Sequence, residues 1–179
     1  MTIVADRRQR QSSAAGVSTR VVDLHHAVRG VAAAALMAAV MATMLAPTSS
    51  ADTTGELQSA LAAKRGGCPA LQSDPVLDAV AQRANLETQA YARHTARFQP
   101  IEDPMPMLRQ LSYPAGKAKL LAGFGDAQQF ADPQQKAVYG ATLFGWDTIP
   151  DCSYTRYGAH ALTDPETGNV FTLILVVGN

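Results

Sequence analysis

One uncharged apolar stretch, residues 30–46, decides how much of this chain can enter a folded domain. Arg29 stands just before it, and small residues follow it, with Ser49 and Ala51 at the −3 and −1 positions of a cleavage site. This order is typical of a secretory signal peptide. The stretch has 17 residues and is mostly alanine, whereas a spanning helix needs about 20 strongly apolar residues. We predict an N-terminal extension and signal peptide over residues 1–51, cleaved after Ala51; an uncleaved anchor is the alternative.

The remainder, residues 52–179, is expected to be one mildly acidic domain. The chain has 15 basic and 15 acidic side chains, but five basic and two acidic ones precede residue 52, which leaves 10 and 13. A domain that binds nucleic acid usually carries excess positive charge, and a net charge of −3 does not fit this. The apolar content of 47% is too high for a disordered protein. We predict a protein that is secreted or held at the cell envelope, binds no nucleic acid, and meets the membrane only through its signal segment.

The spacing of apolar residues predicts helices first and strands last. Two Asp-Pro pairs, at Asp74 and Asp132, each combine an N-cap with proline at the first helical position. The two predicted strands are joined by a short turn and so form an antiparallel hairpin. The resulting fold class is α+β. The predicted helices cover residues 56–65, 75–95, 107–111 and 133–144, the strands cover 154–162 and 170–177, and residues 116–125 form a loop or short irregular segment.

The two cysteines, Cys68 and Cys152, are predicted to form a disulfide. A signal segment sends the chain to an oxidising compartment, where two cysteines in one small domain usually pair. No histidine or second cysteine lies at metal-ligand spacing from either of them. Two unpaired buried thiols are the alternative.

Several short motifs occur in an order that resembles the cysteine-rich secretory, antigen 5 and pathogenesis-related (CAP) superfamily in its small bacterial form. They extend over nearly the whole exported part. The resemblance implies an α-β-α sandwich, in which helices cover both faces of a small antiparallel sheet. The matching segments are Gly67-Cys68-Pro69-Ala70-Leu71, Asp74-Pro75, Ala81-Gln82-Arg83, His94-Thr95, Leu121-Ala122-Gly123-Phe124 and Cys152-Ser153-Tyr154-Thr155-Arg156-Tyr157-Gly158.

The family's cavity usually holds a divalent metal on two histidines and acidic residues, and this sequence departs from it there. The segment that brings a glutamate in the family is here Ala118-Lys119-Leu120-Leu121, and the segment that brings the second histidine is close to Gly145-Trp146-Asp147. Of the ligands that the resemblance implies, His94 alone is retained. Zinc needs three or four protein ligands. We therefore predict no metal site and no cofactor.

Tyr91 and His94 are the candidate ligand-binding residues. They lie three positions apart and would project from one face of a helix. An imidazole beside a phenol could bind haem or a metal, or His94 could serve a hydrolase together with Asp126 or Asp132. No nucleophile motif is present, so we assign no catalytic residue and expect no enzyme.

The leading functional hypothesis is a secreted, non-enzymatic CAP-like domain that binds an apolar ligand, such as a lipid, or a protein partner at the cell envelope. The hydrolase and the haem or metal binder are the alternatives. Phe144 is expected on the apolar face of its helix, and Trp146 is expected to anchor packing in the domain.

Overall fold

The computed structural model describes residues 50–179. The predicted signal segment, apart from its last two residues, lies outside them. Ser50 and Ala51 already belong to the first helix, so the predicted cleavage site falls in that helix's first turn. Within residues 50–179, no helix is long and apolar enough to cross a membrane. The division at residue 51 stays a prediction.

Four helices and four strands follow one another along the described chain. In chain order they are α1 (Ser50–Lys64), β1 (Gln72–Ser73), α2 (Pro75–Ala92), α3 (Met105–Gln110), β2 (Lys117–Gly125), α4 (Pro133–Phe144), β3 (Tyr154–Thr163) and β4 (Val170–Gly178). Both predicted Asp-Pro starts are confirmed: the Asp74 side chain accepts a hydrogen bond from Val76 N, and the Asp132 side chain accepts one from Gln135 N.

The strands form one sheet in the order β1-β3-β4-β2. The predicted hairpin of β3 and β4 is confirmed, with Gly158 opposite Leu175 and Thr163 opposite Val170. β1 runs parallel to β3, whereas the other pairs are antiparallel. The predicted small antiparallel sheet thus carries one short parallel pair at its edge. The two-residue strand β1 was too short to leave a pattern in the sequence.

Helices cover both faces of this sheet, so the predicted α-β-α sandwich is confirmed. Alternate residues of β4 divide between two cores, because successive side chains of a strand point to opposite faces. Ile174 and Val176 pack with Leu57 and Leu61 of α1, on the face that α4 also covers. Leu173, Leu175 and Val177 pack on the opposite face with residues of α2 and α3, among them Leu77, Val80 and Leu108.

The predicted loop over residues 116–125 is strand β2, which pairs with β4 along its full length. Glycines are typical of loops, so those of β2 hid the strand from prediction. They are present because α4 lies directly on the strand. A Cβ at Gly123 would stand 1.9 Å from the Ala137 carbonyl oxygen, and one at Gly125 would stand 1.8 Å from the Pro133 oxygen. Only glycine allows the helix and strand backbones to come this close.

The predicted disulfide between Cys68 and Cys152 is confirmed, with Cα atoms 5.2 Å apart. It connects the loop after α1 with the segment before β3. Arg65, which is 5% exposed, holds the same two regions together through hydrogen bonds. Its guanidinium donates to the carbonyl oxygens of Pro69, Ile149, Asp151 and Tyr154, at 2.5–2.9 Å.

Candidate functional site

The structure places the two candidate ligand-binding residues in different backbone settings. Tyr91 lies in the last turn of α2 and is 46% exposed, whereas the helix ends at Ala92 and His94 follows it. His94 is exposed and has a φ of 57°, in the left-handed region. The expectation that both side chains project from one helix face is wrong, because the turn at His94 redirects the chain. Their role in ligand, haem or metal binding stays a prediction.

The acids proposed as partners of His94 serve local structure. The Asp126 carboxylate accepts from Gln128 N and from the Gln129 side chain, both at 2.8 Å. Asp132 caps α4. Within residues 50–179, no three histidine, cysteine or carboxylate side chains come close enough to hold a metal ion. The described residues thus offer His94 no preformed acidic partner or cluster.

The turn beside His94 is tied to the β3–β4 hairpin by an ion pair. Arg93 donates to both oxygens of the Asp164 carboxylate at 2.5 Å, and the Asp164 side chain is 2% exposed. The hydrogen bonds from Arg93, followed by those from the backbone of Glu166 and Thr167, hold the pKa of Asp164 well below its usual range. This pair positions the end of α2, and its carboxylate is buried.

His160, on β3, packs against α2. Its Nδ1 lies 3.2 Å from Asn85 Nδ2, which also donates to the Phe171 carbonyl oxygen at 3.0 Å. Burial lowers the pKa of His160, partly offset by the negative charge of Asp78. A neutral imidazole that accepts at Nδ1 is therefore consistent with its surroundings. His160 lines none of the clefts described below.

The most unusual surface of the described residues lies at the C-terminal end of α4. Four large apolar side chains project there: Tyr139, Leu143, Phe144 and Trp146, with exposed fractions of 54, 48, 70 and 75%. We call this set the aromatic end of α4. The expectations that Phe144 faces the core and that Trp146 anchors packing are both wrong. Ala137 and Ala141 are among the buried residues of the helix. The helix ends at Gly145, and Trp146 after it is exposed.

A cleft of about 260 Å³ opens beside these side chains, between the ends of α1 and α4. Ile149, which is 1% exposed, and Pro150 form part of its wall. Tyr139, Leu143 and Trp146 stand at the same cleft, together with Lys64. We call it the α1–α4 cleft. Large contiguous apolar surfaces are uncommon on monomeric soluble proteins and mark interaction sites or ligand grooves.

Positive charge borders this apolar surface. Lys64 lies at the edge of the α1–α4 cleft. Lys136, one turn before the aromatic end, places its ammonium 5.6 Å from the Tyr139 ring and 4.9 Å from the Phe130 ring. A ligand with an apolar body and an anionic group would complement both properties. The sequence pattern did not predict this site, because the apolar residues of α4 were assigned to the core. One signal was present: Leu143, Phe144 and Trp146 are more large apolar side chains than one narrow helix face can bury.

Comparisons of the sequence and the fold with known proteins give different results. No family model matches the sequence, and no curated protein matches it. The fold, however, matches a cysteine-rich secretory protein from Staphylococcus aureus over 73% of this chain, with a TM-score of 0.54 and 13% identity. The chain spans 40% of that protein's length.

A second match is an outer surface protein of Borrelia burgdorferi. The alignment covers 74% of this chain and 97% of the Borrelia chain, with a TM-score of 0.50 and 14% identity. At these identities the similarity concerns the fold alone. The described domain therefore has the fold of the CAP proteins, as the order of its short motifs suggested.

Proposed function

We propose that this chain is a secreted, non-enzymatic CAP-like domain that binds the acyl chain of an envelope lipid in the α1–α4 cleft. The observation that carries the proposal is the aromatic end of α4, where Leu143, Phe144 and Trp146 remain exposed beside the partly apolar α1–α4 cleft. Burying one such side chain contributes about 1.5–3 kcal/mol. A ligand that covers two or three of them would gain enough free energy to bind.

The shape and charge of the cleft favour a lipid chain over a large ligand. At about 260 Å³ the cleft is smaller than the roughly 300–1,000 Å³ of sites for drug-sized molecules. It suits part of an alkyl chain, with the protruding Phe144 and Trp146 closing over it. Lys64 at the edge supplies a positive partner for a carboxylate or phosphate head group. A protein partner that inserts one apolar side chain is the competing occupant.

Export of the domain belongs to the same proposal. The cysteines are joined, which is typical of oxidising compartments. The two matched structures are a secretory protein and an outer surface protein. The signal segment predicted over residues 1–51 would deliver the domain to the lipids of the envelope.

The chain's single tryptophan makes the proposal testable, because Trp146 stands at the α1–α4 cleft. We expect laurate, added to the oxidised full-length chain, to shift the Trp146 emission to shorter wavelength and to saturate. Leu143→Ser removes an apolar wall of the cleft, so the affinity for laurate should fall about tenfold or more.

Leu86→Ser is the matched control, because Leu86 is also 48% exposed but lies on α2, away from the cleft. It should leave the laurate affinity unchanged. An emission spectrum that does not respond to laurate would contradict an acyl ligand. Equal losses in the two variants would show that binding occurs elsewhere. If laurate has no effect and Leu143→Ser abolishes retention of an envelope protein, the partner is a protein.

A further inference from the structure

Arg65 is a buried cation without a counter-ion within reach. No carboxylate oxygen of residues 50–179 lies within 4.0 Å of its guanidinium, which is surrounded by carbonyl groups. Asp151 is the nearest source of negative charge, but its carboxylate bonds to Lys117 Nζ at 2.9 Å and to Ser153. Desolvation lowers the pKa of Arg65, partly offset by Asp151. A buried charge of this kind is costly unless it is paired.

The hydrogen-bonding capacity of Arg65 is also incomplete. A guanidinium has five N–H donors. Nε uses one donor on Pro69, the first terminal nitrogen uses two on Ile149 and Asp151, and the second uses one on Tyr154. One N–H of the second terminal nitrogen therefore has no partner among these carbonyl groups.

Arg65 forms part of the wall of a separate cavity of about 170 Å³, the Arg65 pocket. It lies between α1 and β3, on the side of α1 that carries Gln58 and faces Tyr157. Leu61, Ala62 and Leu71 supply apolar wall. The α1–α4 cleft shares none of these residues.

Two further residues with polar side chains, Gln58 and Tyr157, line this pocket. Within the described chain, neither the Gln58 amide nor the Tyr157 hydroxyl makes a side-chain hydrogen bond. Together with the free N–H of Arg65 they provide three groups that could contact one ligand. A concave apolar wall with a few placed polar groups is the usual construction of a small-molecule site.

We infer that the Arg65 pocket binds a small organic carboxylate with a short apolar body. The carboxylate would accept from the free N–H of Arg65 and from the Gln58 and Tyr157 side chains, and the apolar body would lie against Leu61 and Leu71. A volume of about 170 Å³ suits a single ring or a short chain. This inference is independent of the lipid proposal, because it concerns another cavity and another ligand.

Benzoate is the first probe, and benzamide is its neutral counterpart of the same shape. We expect benzoate to shift the Arg65 side-chain Nε–H and the Leu71 amide resonances of the oxidised full-length chain in a saturable manner. Benzamide should shift them at least tenfold more weakly, because it lacks the charge. Acetate should also bind at least tenfold more weakly, because it lacks the apolar body. Trp146 emission should not respond to benzoate.

Variants separate recognition from folding, since replacing Arg65 itself would release the four carbonyl contacts. Gln58→Ala and Tyr157→Phe each remove one polar contact and should weaken benzoate binding about three- to tenfold. Gln82→Ala, an exposed glutamine of α2, is the matched control and should change nothing. The inference is overturned if benzoate leaves the Arg65 Nε–H unshifted, if benzamide binds equally well, or if Gln82→Ala weakens binding as much as Gln58→Ala.

Discussion

The side chain of Arg93 holds in place the turn after α2, which belongs to no helix or strand. Arg93 lies just past the end of α2 and donates hydrogen bonds to the buried carboxylate of Asp164. This carboxylate also accepts hydrogen bonds from the backbone N–H groups of Glu166 and Thr167. Several hydrogen-bond donors around a carboxylate strongly favour its charged form. The turn that carries His94 is therefore held against the β3–β4 hairpin by charge.

Replacing the buried acid should reveal this interaction through its pH dependence. The pKa of Asp164 is lower in the folded protein than in the unfolded chain, where it is about 3.9. Its contribution is therefore complete above about pH 4 and is lost as the pH falls through the lower, folded-state pKa. We expect Asp164→Asn to reduce the free energy of unfolding by about 2–3 kcal/mol at pH 7, and by less in strong acid. Urea denaturation at several pH values measures the difference.

Glu166 offers the control for this substitution, because it contacts the same guanidinium at 3.3 Å from a side chain that is 74% exposed. Exposed ion pairs contribute about 0–1 kcal/mol. Glu166→Gln should accordingly cost less than about 1 kcal/mol. A cost equal to that of Asp164→Asn, or a loss for Asp164→Asn that does not vary with pH, would contradict the assignment.

At the scale of elements, the packing of α4 on β2 depends on the absence of side chains. The helix backbone passes so close to the strand that Gly123 would place a Cβ 1.9 Å from the Ala137 oxygen. Thr172 of β4 strengthens the same contact by donating to that oxygen at 2.9 Å. The position of α4, and with it the α1–α4 cleft, follows from this approach.

Gly123→Ala should therefore move α4 or unfold the domain. Overpacking of a closely fitted core costs about 1–3 kcal/mol, and here the obstacle is backbone, which cannot rotate away. We expect a loss of at least about 3 kcal/mol in the free energy of unfolding, by urea denaturation. Gly55→Ala, in α1 with open space around it, should instead add up to about 1 kcal/mol. Equal effects of the two alanines would contradict this account of the packing.

The same elements explain what the sequence could reveal. The Asp-Pro helix starts and the β3–β4 hairpin depend on local chemistry, and both were predictable. β2 was not, because its glycines are required by α4, which is distant in sequence. The early start of α1 was hidden because Thr53, rather than an aliphatic residue, continues the buried row of Leu57 and Leu61.

The candidate site was less predictable than the fold. Its residues, such as Leu143 and Trp146, are of types that usually pack inside a protein, and only the three-dimensional arrangement shows that the core is complete without them. Arg65 resembled an ordinary basic residue near a helix end. Its contacts come from residues 69 and 149–154, most of them far away in sequence.

At the scale of the whole molecule, the disulfide links two positions 84 residues apart and joins the loop after α1 to the segment before β3. The loop that it closes contains β1, α2, α3, β2 and α4, so most of the domain's elements lie within one covalent ring. In the chain-entropy model a ring of this size contributes roughly 4–5 kcal/mol, by reducing the freedom of the unfolded chain. Small domains have a total stability of only about 5–15 kcal/mol.

Reducing this bond should therefore lower the free energy of unfolding by up to about 4–5 kcal/mol. Urea titrations of the oxidised chain and of the Cys68→Ala, Cys152→Ala double variant provide the measurement. Thr155→Ala, an exposed change close to Cys152, is a control for local perturbation and should cost less than about 1 kcal/mol. An unchanged denaturation midpoint in the double variant would show that the bond contributes nothing to stability.

The four carbonyl contacts of Arg65 also bear on how the disulfide forms. They join the segments that carry Cys68 and Cys152. A reduced chain that kept these contacts would hold the two thiols close together. Each thiol then meets the other at a high effective concentration, as in an intramolecular reaction. Oxidation would then form the Cys68–Cys152 bond between segments that Arg65 already holds together. A reduced molecule that stays folded would form the same disulfide again.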